Sequence, residues 1–337
     1  MVYCTDLYRH EIDKKAFESL NKFSALVNLQ KSYMKNFDER ASKINLLSTA
    51  IRLNENQMPE IYNLLPPICE KLGIPVPELY YIKSSEMNAY TYGSTNPYIV
   101  VTSKIVNKLK PNLLATVLAH ECGHIACNHS LYHAIARTFI NGIDNSPLTS
   151  IPAIGKYITP TLVNALLFWY RCSEFSADRA AALCDGGSEK TMEVLLRVSG
   201  YDNINRTEFL KQAIDLNELI NDSKSNLLME KMITKNESHP RLATRIFECD
   251  KWSKTNIFKG ILEGSYTLET FSANQEKPCE VEVINAQINI ESTNSTKDLE
   301  LDEINNVLNK INNKLERYTN KADMADYSFA IFSGIMS

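Results

Sequence analysis

"LAHECGHIACNH", residues 118–129, places His120, Glu121, His124 and His129 within ten positions of a 337-residue chain that holds six histidines. The preceding "PNLLATVLA" (111–119) carries Leu114, Val117 and Leu118 at helical spacing. The motif therefore falls on a long, largely apolar helix, where two imidazoles and a carboxylate are costly unless they share a task. Residues four apart lie on one helix face, so His120 and His124 can present two ring nitrogens to one cation. Glu121 is offset by about 100°, which sets its carboxylate beside a metal-bound water rather than on the metal. Zinc lowers the pKa of such a water towards ~7, and the carboxylate can take its proton as it attacks a carbonyl. The pentapeptide alone is equally a chance occurrence on a helix, so context has to decide.

A catalytic zinc needs three protein ligands as a rule. His129 is the tempting third, but on a continuing helix it is rotated about 140° from His124. The elongated pattern with glycine at 127 and histidine at 130 is excluded by Cys127 and Ser130. His129 and His133 lie four apart, and such an extra pair is more often a packed or solvated feature of a helix. The better candidate is "RCSEFSADRAAAL" (171–183), where Glu174 and Asp178 are four apart among small residues that permit close helix packing. Glu174 can be the third ligand, and Asp178 can bond the second nitrogen of a liganding histidine. The bland alternative is a solvated Glu/Asp edge of an amphipathic helix. Gly123, inside the motif, allows a close backbone approach.

Composition bounds the rest. With 44% hydrophobic and 23% charged residues the chain is an ordinary globular protein, long enough for one large domain or two smaller ones. A formal charge of −4 and the lack of a Lys/Arg run exclude general nucleic-acid binding. Eight scattered cysteines without a CxxC pair, and an N-terminal "MVYCTDLYRHEIDKK" without an apolar core, lead us to expect a cytoplasmic protein. The run "YITPTLVNALLFWY" (157–170) is shorter than the ~20 apolar residues of a membrane span and predicts a buried core helix. The apolar end "DYSFAIFSGIMS" (326–337) is compatible with continuation into a membrane or partner-binding segment.

Along the chain, residues 11–72 carry helical patterning. "ELYYIK" (78–83), "NAYTYG" (88–93) and "PYIVVTS" (97–103) predict a small sheet. Helix resumes at Pro111 and runs to about 252. Residues 253–277 have no clear period and predict a linker or irregular packing segment. Residues 279–290 predict a strand with a bulge or turn near Asn285. Leu301, Ile304, Leu308, Ile311, Leu315 and Tyr318 form an amphipathic stripe, too short for a convincing coiled coil, that docks on the body or supports self-association through 301–318. The expected organisation is a first domain over 1–255 that carries the histidine motif, with N-terminal helices over 1–72 and the sheet and motif-bearing helices over 78–252. A region of docking or regulatory role then covers 256–337.

Taken together, "NAYTYG", "LAHECGHIACNH", "RCSEFSADRAA" and "SHPRLATRI" (238–246) resemble the zinc metallopeptidase family that includes HtpX-like proteases and the CaaX prenyl proteases, over residues 50 to 250. The resemblance implies a gluzincin: one Zn2+ per chain on His120, His124 and Glu174, with Glu121 as general base and acid and Asp178 behind the ligands. It further implies Asn88 and Ala89 on an edge strand holding the substrate backbone, and His239 and Arg245 near the oxyanion side. The fold expected is α+β, mainly helical and zincin-like, with a small sheet and an appended C-terminal strand/helix region.

The function expected is a zinc metalloendopeptidase acting on peptides or proteins through a zinc-bound water. The other class of reading is a zinc-stabilised binding or regulatory protein with a structural or occluded site. Such a site would recruit a fourth protein ligand from residues like Cys122, Cys172 or His129. Family members of this kind carry several membrane helices, and this sequence has no segment of that length.

Overall fold

A computed structural model describes residues 2–21, 39–130, 133, 160–234 and 240–266. The chain begins with helices α1 (Thr5–Tyr8), α2 (Glu11–Asn21) and α3 (Glu39–Thr49), followed by strand β1 (Ile51–Leu53) and helices α4 (Pro59–Tyr62) and α5 (Leu65–Leu72). Strands β2 (Glu78–Ile82), β3 (Ala89–Tyr92) and β4 (Tyr98–Thr102) come next, and then α6 (Ser103–Lys108), α7 (Pro111–Ala126) and α8 (Pro160–Asp185). The remaining helices are α9 (Glu189–Val198), α10 (Arg206–Asp222), α11 (Lys224–Thr234), α12 (Leu242–Ser253) and α13 (Asn256–Glu263). The architecture is mostly helical with one small sheet. Among the described residues, no helix is long and apolar enough to cross a membrane.

The sheet order is β1-β2-β4-β3, with β2 and β4 parallel and both edge strands antiparallel to their neighbours. Strand alternation sorts the side chains. Leu53, Leu79, Ile99 and Val101 enter the main core, while Tyr80, Tyr98 and Val100 pack with Leu46 of α3 on the other face. On β3 the same alternation turns Ala89 to the main core and Tyr90 and Tyr92 away from it. Thr91, two residues from Ala89, therefore looks towards α7.

Helix α7 starts with Pro111 at its first turn, where a missing N–H costs nothing. Its buried residues lie all round the helix, from Leu113 and Leu114 to Cys122 and Gly123, which makes it the central helix of the core. It crosses α8 closely because neither side presents bulk. A Cβ added to Gly123 would stand 2.7 Å from the Ala180 Cβ and 3.1 Å from the Ala177 Cα. Helix propensity alone says Gly123→Ala should stabilise by ~1 kcal/mol, but overpacking costs roughly 1–3 kcal/mol and the neighbour here includes backbone. We expect Gly123→Ala to lower the unfolding temperature. A higher one would show that the two helices separate freely.

Three elements differ from what the pattern suggests. Within the stretch read as helical, Ile51–Leu53 forms β1, because pairing with β2 buries Leu53 and the Asn54–Gln57 bridge turns the chain back. Within 253–277, read as a linker, Asn256–Glu263 forms α13, capped by the Thr255 side chain on the Phe258 N–H. Phe258 and Ile261 join the main core, a contact that a search for period in so short a helix misses. The third difference is at His129. Helix α7 ends at Ala126, and Asn128 adopts φ +55°, so the chain turns before His129 instead of continuing straight. The strand expected at 279–290 and the amphipathic stripe at 301–318 lie outside the described residues.

Candidate metal centre

Helices α7 and α8 bring His120, His124 and Glu174 to one point, with one potential ligand atom from each lying within 4.8 Å of the others. The two Nε2 atoms are 3.1 Å apart. Glu174 sets one carboxylate oxygen 3.5 Å from His120 Nε2 and the other 3.5 Å from His124 Nε2. A tetrahedron of donors ~2.1 Å from a zinc ion has edges of ~3.4 Å, so these separations suit that ion without rearrangement. The i, i+4 spacing on each helix supplies the local part of this arrangement, and the Gly123–Ala180 crossing brings the two faces together.

The charges also fit a divalent ion. Asp178 Oδ1 lies 3.0 Å from His120 Nδ1. Arg245, from α12, donates to both Asp178 oxygens at 2.8 and 2.7 Å and lies 2.9 Å from Glu174 Oε2. With His120 and His124 neutral, as metal ligands must be, Glu121, Glu174 and Asp178 set three negative charges against Arg245, a surplus of two that a divalent cation balances. Burial raises the Asp178 carboxyl, but the Arg245 guanidinium and His120 together outweigh it and hold the group below its usual range. Burial likewise opposes the charged form of Arg245, and the two carboxylates more than compensate. His120 shows the same balance: burial disfavours its imidazolium, yet bonds to Asp178 and Glu174 hold it up at about 10.

Glu121 is buried on the β3 side of the cluster, where Thr91 Oγ1 donates to Glu121 Oε2 at 2.8 Å and contacts its carbonyl at 3.1 Å. Sequence reasoning passed over Thr91. The signal available was a hydroxyl at an inward-facing position of "NAYTYG", between two outward tyrosines. Ala89 opens β3, the edge strand, while the backbone of Asn88 is tied to Thr102 through a 3.1 Å bond to its hydroxyl and a 3.0 Å bond from its amide. Arg245, expected near the oxyanion side, has its guanidinium against the carboxylates of α8. His239 lies outside the described residues.

His129 does not join the Nε2 cluster. Its Nδ1 lies 2.9 Å from the opposite ring nitrogen of His124, and its Nε2 lies 3.0 Å from Asp13 Oδ2. Burial raises the Asp13 carboxyl, but His129, Ser176 and Arg9 outweigh it and hold the group at about 2. His133 instead meets Ser173 Oγ at 2.8 Å and stacks on Tyr170. The Cys122 sulfur faces Cys69 Sγ at 3.9 Å.

Two helices, one bearing His-Glu-x-x-His and the other Glu-x-x-x-Asp, crossing beside an edge strand, form the arrangement of a metallopeptidase. A family model described as Peptidase family M48 matches residues 55–253. The chain is 31% identical over 265 residues to the plastoglobule-localized metallopeptidase 48, chloroplastic, of Arabidopsis thaliana, covering 77% of this chain and 75% of that protein. It is 27% identical over 171 residues to a protease HtpX homolog of Ralstonia pickettii, covering 45% of this chain and 60% of that one. Among solved structures, the crystal structure of S. mikatae Ste24p aligns at 19% identity with a TM-score of 0.37, over 68% of this chain and 56% of that one. The chain belongs to peptidase family M48, and its class is that of a metallopeptidase with peptide or protein substrates.

Proposed function

We propose that the protein is a zinc-dependent endopeptidase of zincin-like architecture in which His120, His124 and Glu174 hold the ion and Glu121 moves the proton. The observation that carries this reading is the convergence of the three donors with Glu121 beside them. Zinc, when bound, supplies Lewis-acid polarisation of the scissile carbonyl and eases deprotonation of the attacking water. Glu121 accepts that proton and passes it to the leaving amine, and the Thr91 hydroxyl keeps its carboxylate turned to the site. Asp178 orients His120 through Nδ1, while Arg245 holds Asp178 and Glu174 in place. Ala89 begins the edge strand along which an extended substrate adds by main-chain hydrogen bonds, with Asn88 next to it. His239 is assigned to the oxyanion by sequence resemblance.

A catalytic rather than structural ion is supported by the surroundings. A structural zinc takes a fourth protein ligand, whereas Cys122 faces Cys69 and His129 faces the far nitrogen of His124. Because α13 joins the main core, the peptidase unit we propose extends through residue 263 instead of ending at 255. The described cysteines are free thiols, which supports the cytosol as the compartment.

The test is metal removal. Dialysis against a chelator is expected to abolish cleavage of a pool of unstructured peptides read by mass spectrometry, and one equivalent of Zn2+ per chain to restore it. Undiminished cleavage by chelated protein would overturn the proposal.

A further inference from the structure

The two imidazoles of the centre are held differently from behind. His120 leans directly on a carboxylate, with Nδ1 3.0 Å from Asp178. Among the described residues, no carboxylate meets His124 at its Nδ1; that nitrogen meets His129 Nδ1 at 2.9 Å, and His129 Nε2 meets Asp13 Oδ2 at 3.0 Å. Asp13 sits on α2, outside the family-matched residues 55–253, and also accepts from Ser176 Oγ of α8 at 2.7 Å.

An ionised carboxylate can only accept, so a neutral His129 carries its proton on Nε2. His129 Nδ1 is then a lone pair, and a contact of 2.9 Å between two ring nitrogens needs one donor and one acceptor. The proton between them must come from His124 Nδ1, which leaves the Nε2 lone pair of His124 facing His120 and Glu174. The backbone is shaped for this contact. The left-handed Asn128 turns the chain before His129, and the Arg9 guanidinium, also from the N-terminal segment, donates to the carbonyl of Cys127. His129 and Asp13 are both completely buried. Replacing a buried polar pair by apolar residues of similar volume is often neutral or stabilising, so packing alone does not call for this pair.

We propose that His129, anchored by Asp13, is a positioning residue that holds His124 with its Nε2 lone pair towards the metal, making the N-terminal helix α2 part of the centre. This rests on the assignment of His120, His124 and Glu174 as ligands. Loss of such an outer partner weakens metal binding by about 10–100-fold.

The experiment measures Zn2+ affinity by chelator competition, together with nitrogen NMR of protein selectively 15N-labelled at histidine. His129→Phe, which keeps the ring, and Asp13→Leu are each expected to weaken Zn2+ binding by about 10–100-fold. Asp13→Asn, whose amide oxygen still accepts from Nε2, is expected to stay close to wild type. In the wild type, His124 is expected to be protonated at Nδ1 and unprotonated at Nε2, and in His129→Phe to show mixed tautomers. Folded His129→Phe and Asp13→Leu proteins with wild-type affinity would overturn the proposal. So would a wild-type spectrum with the His124 proton on Nε2, a measurement that needs no variant to fold. Failure of the ligand assignment looks different: wild type would bind no stoichiometric Zn2+, or His120→Ala would bind it as tightly.

Discussion

Glu121→Gln is expected to retain one zinc ion per chain and to lose peptide cleavage by roughly 10²–10⁴-fold. The amide preserves the shape of the side chain and can still accept from Thr91, whose hydroxyl lies 2.8 Å from Glu121 Oε2 in the native protein. It has no basic oxygen with which to take a proton from water at neutral pH. Metal content and turnover should therefore separate cleanly, which a substitution of His120, His124 or Glu174 would not allow. Cleavage by the variant at the wild-type rate, in protein freed of co-purifying proteases, would remove Glu121 from the chemistry.

The second large effect concerns stability. Arg245→Leu is expected to cost about 3–5 kcal/mol in zinc-free protein, because it takes the guanidinium away from the buried carboxylates Asp178 and Glu174 and leaves two negative charges to the single imidazole of His120. The guanidinium is itself mostly buried, with a side-chain exposure of 13% against 2% for Asp178 and 5% for Glu174, so solvent screening softens the loss little. Bound zinc would take up part of the same negative charge through Glu174. The gap in unfolding temperature between variant and wild type should therefore narrow when both are saturated with Zn2+. An equal gap with and without the ion would mean that arginine and metal do not share the task of neutralising the site.

Much of the centre was legible because its pieces are local. A period of 3.6 residues by itself puts His120 and His124 on one face and Glu174 and Asp178 on another. The β-rich composition of "NAYTYG" and "PYIVVTS", set off by Ser, Asn, Gly and Pro, gave away strands at β3 and β4, with boundaries one residue shorter at each end than the segments read. Small residues at 123, 177 and 180 marked a close crossing before any partner was known, since bulk at a helix interface is excluded by geometry whatever the partner is.

Other features have no local period to announce them. Nothing near Arg245 in the chain indicates that it bonds Asp178, 67 residues away, and nothing near His129 points to Asp13, 116 residues away. A helical wheel drawn through His129 even misdirects, because a single left-handed residue at Asn128 changes the direction of the chain. Thr91 reads as an ordinary strand residue until the sheet is set against α7. The amino-acid sequence by itself determined which side chains could serve one cation, because those relations are repeats along a single helix. The tertiary structure alone decided that Asp178 backs His120 while His129 backs His124, and which hydroxyl faces Glu121, because such contacts depend on how separate helices and strands cross in the core.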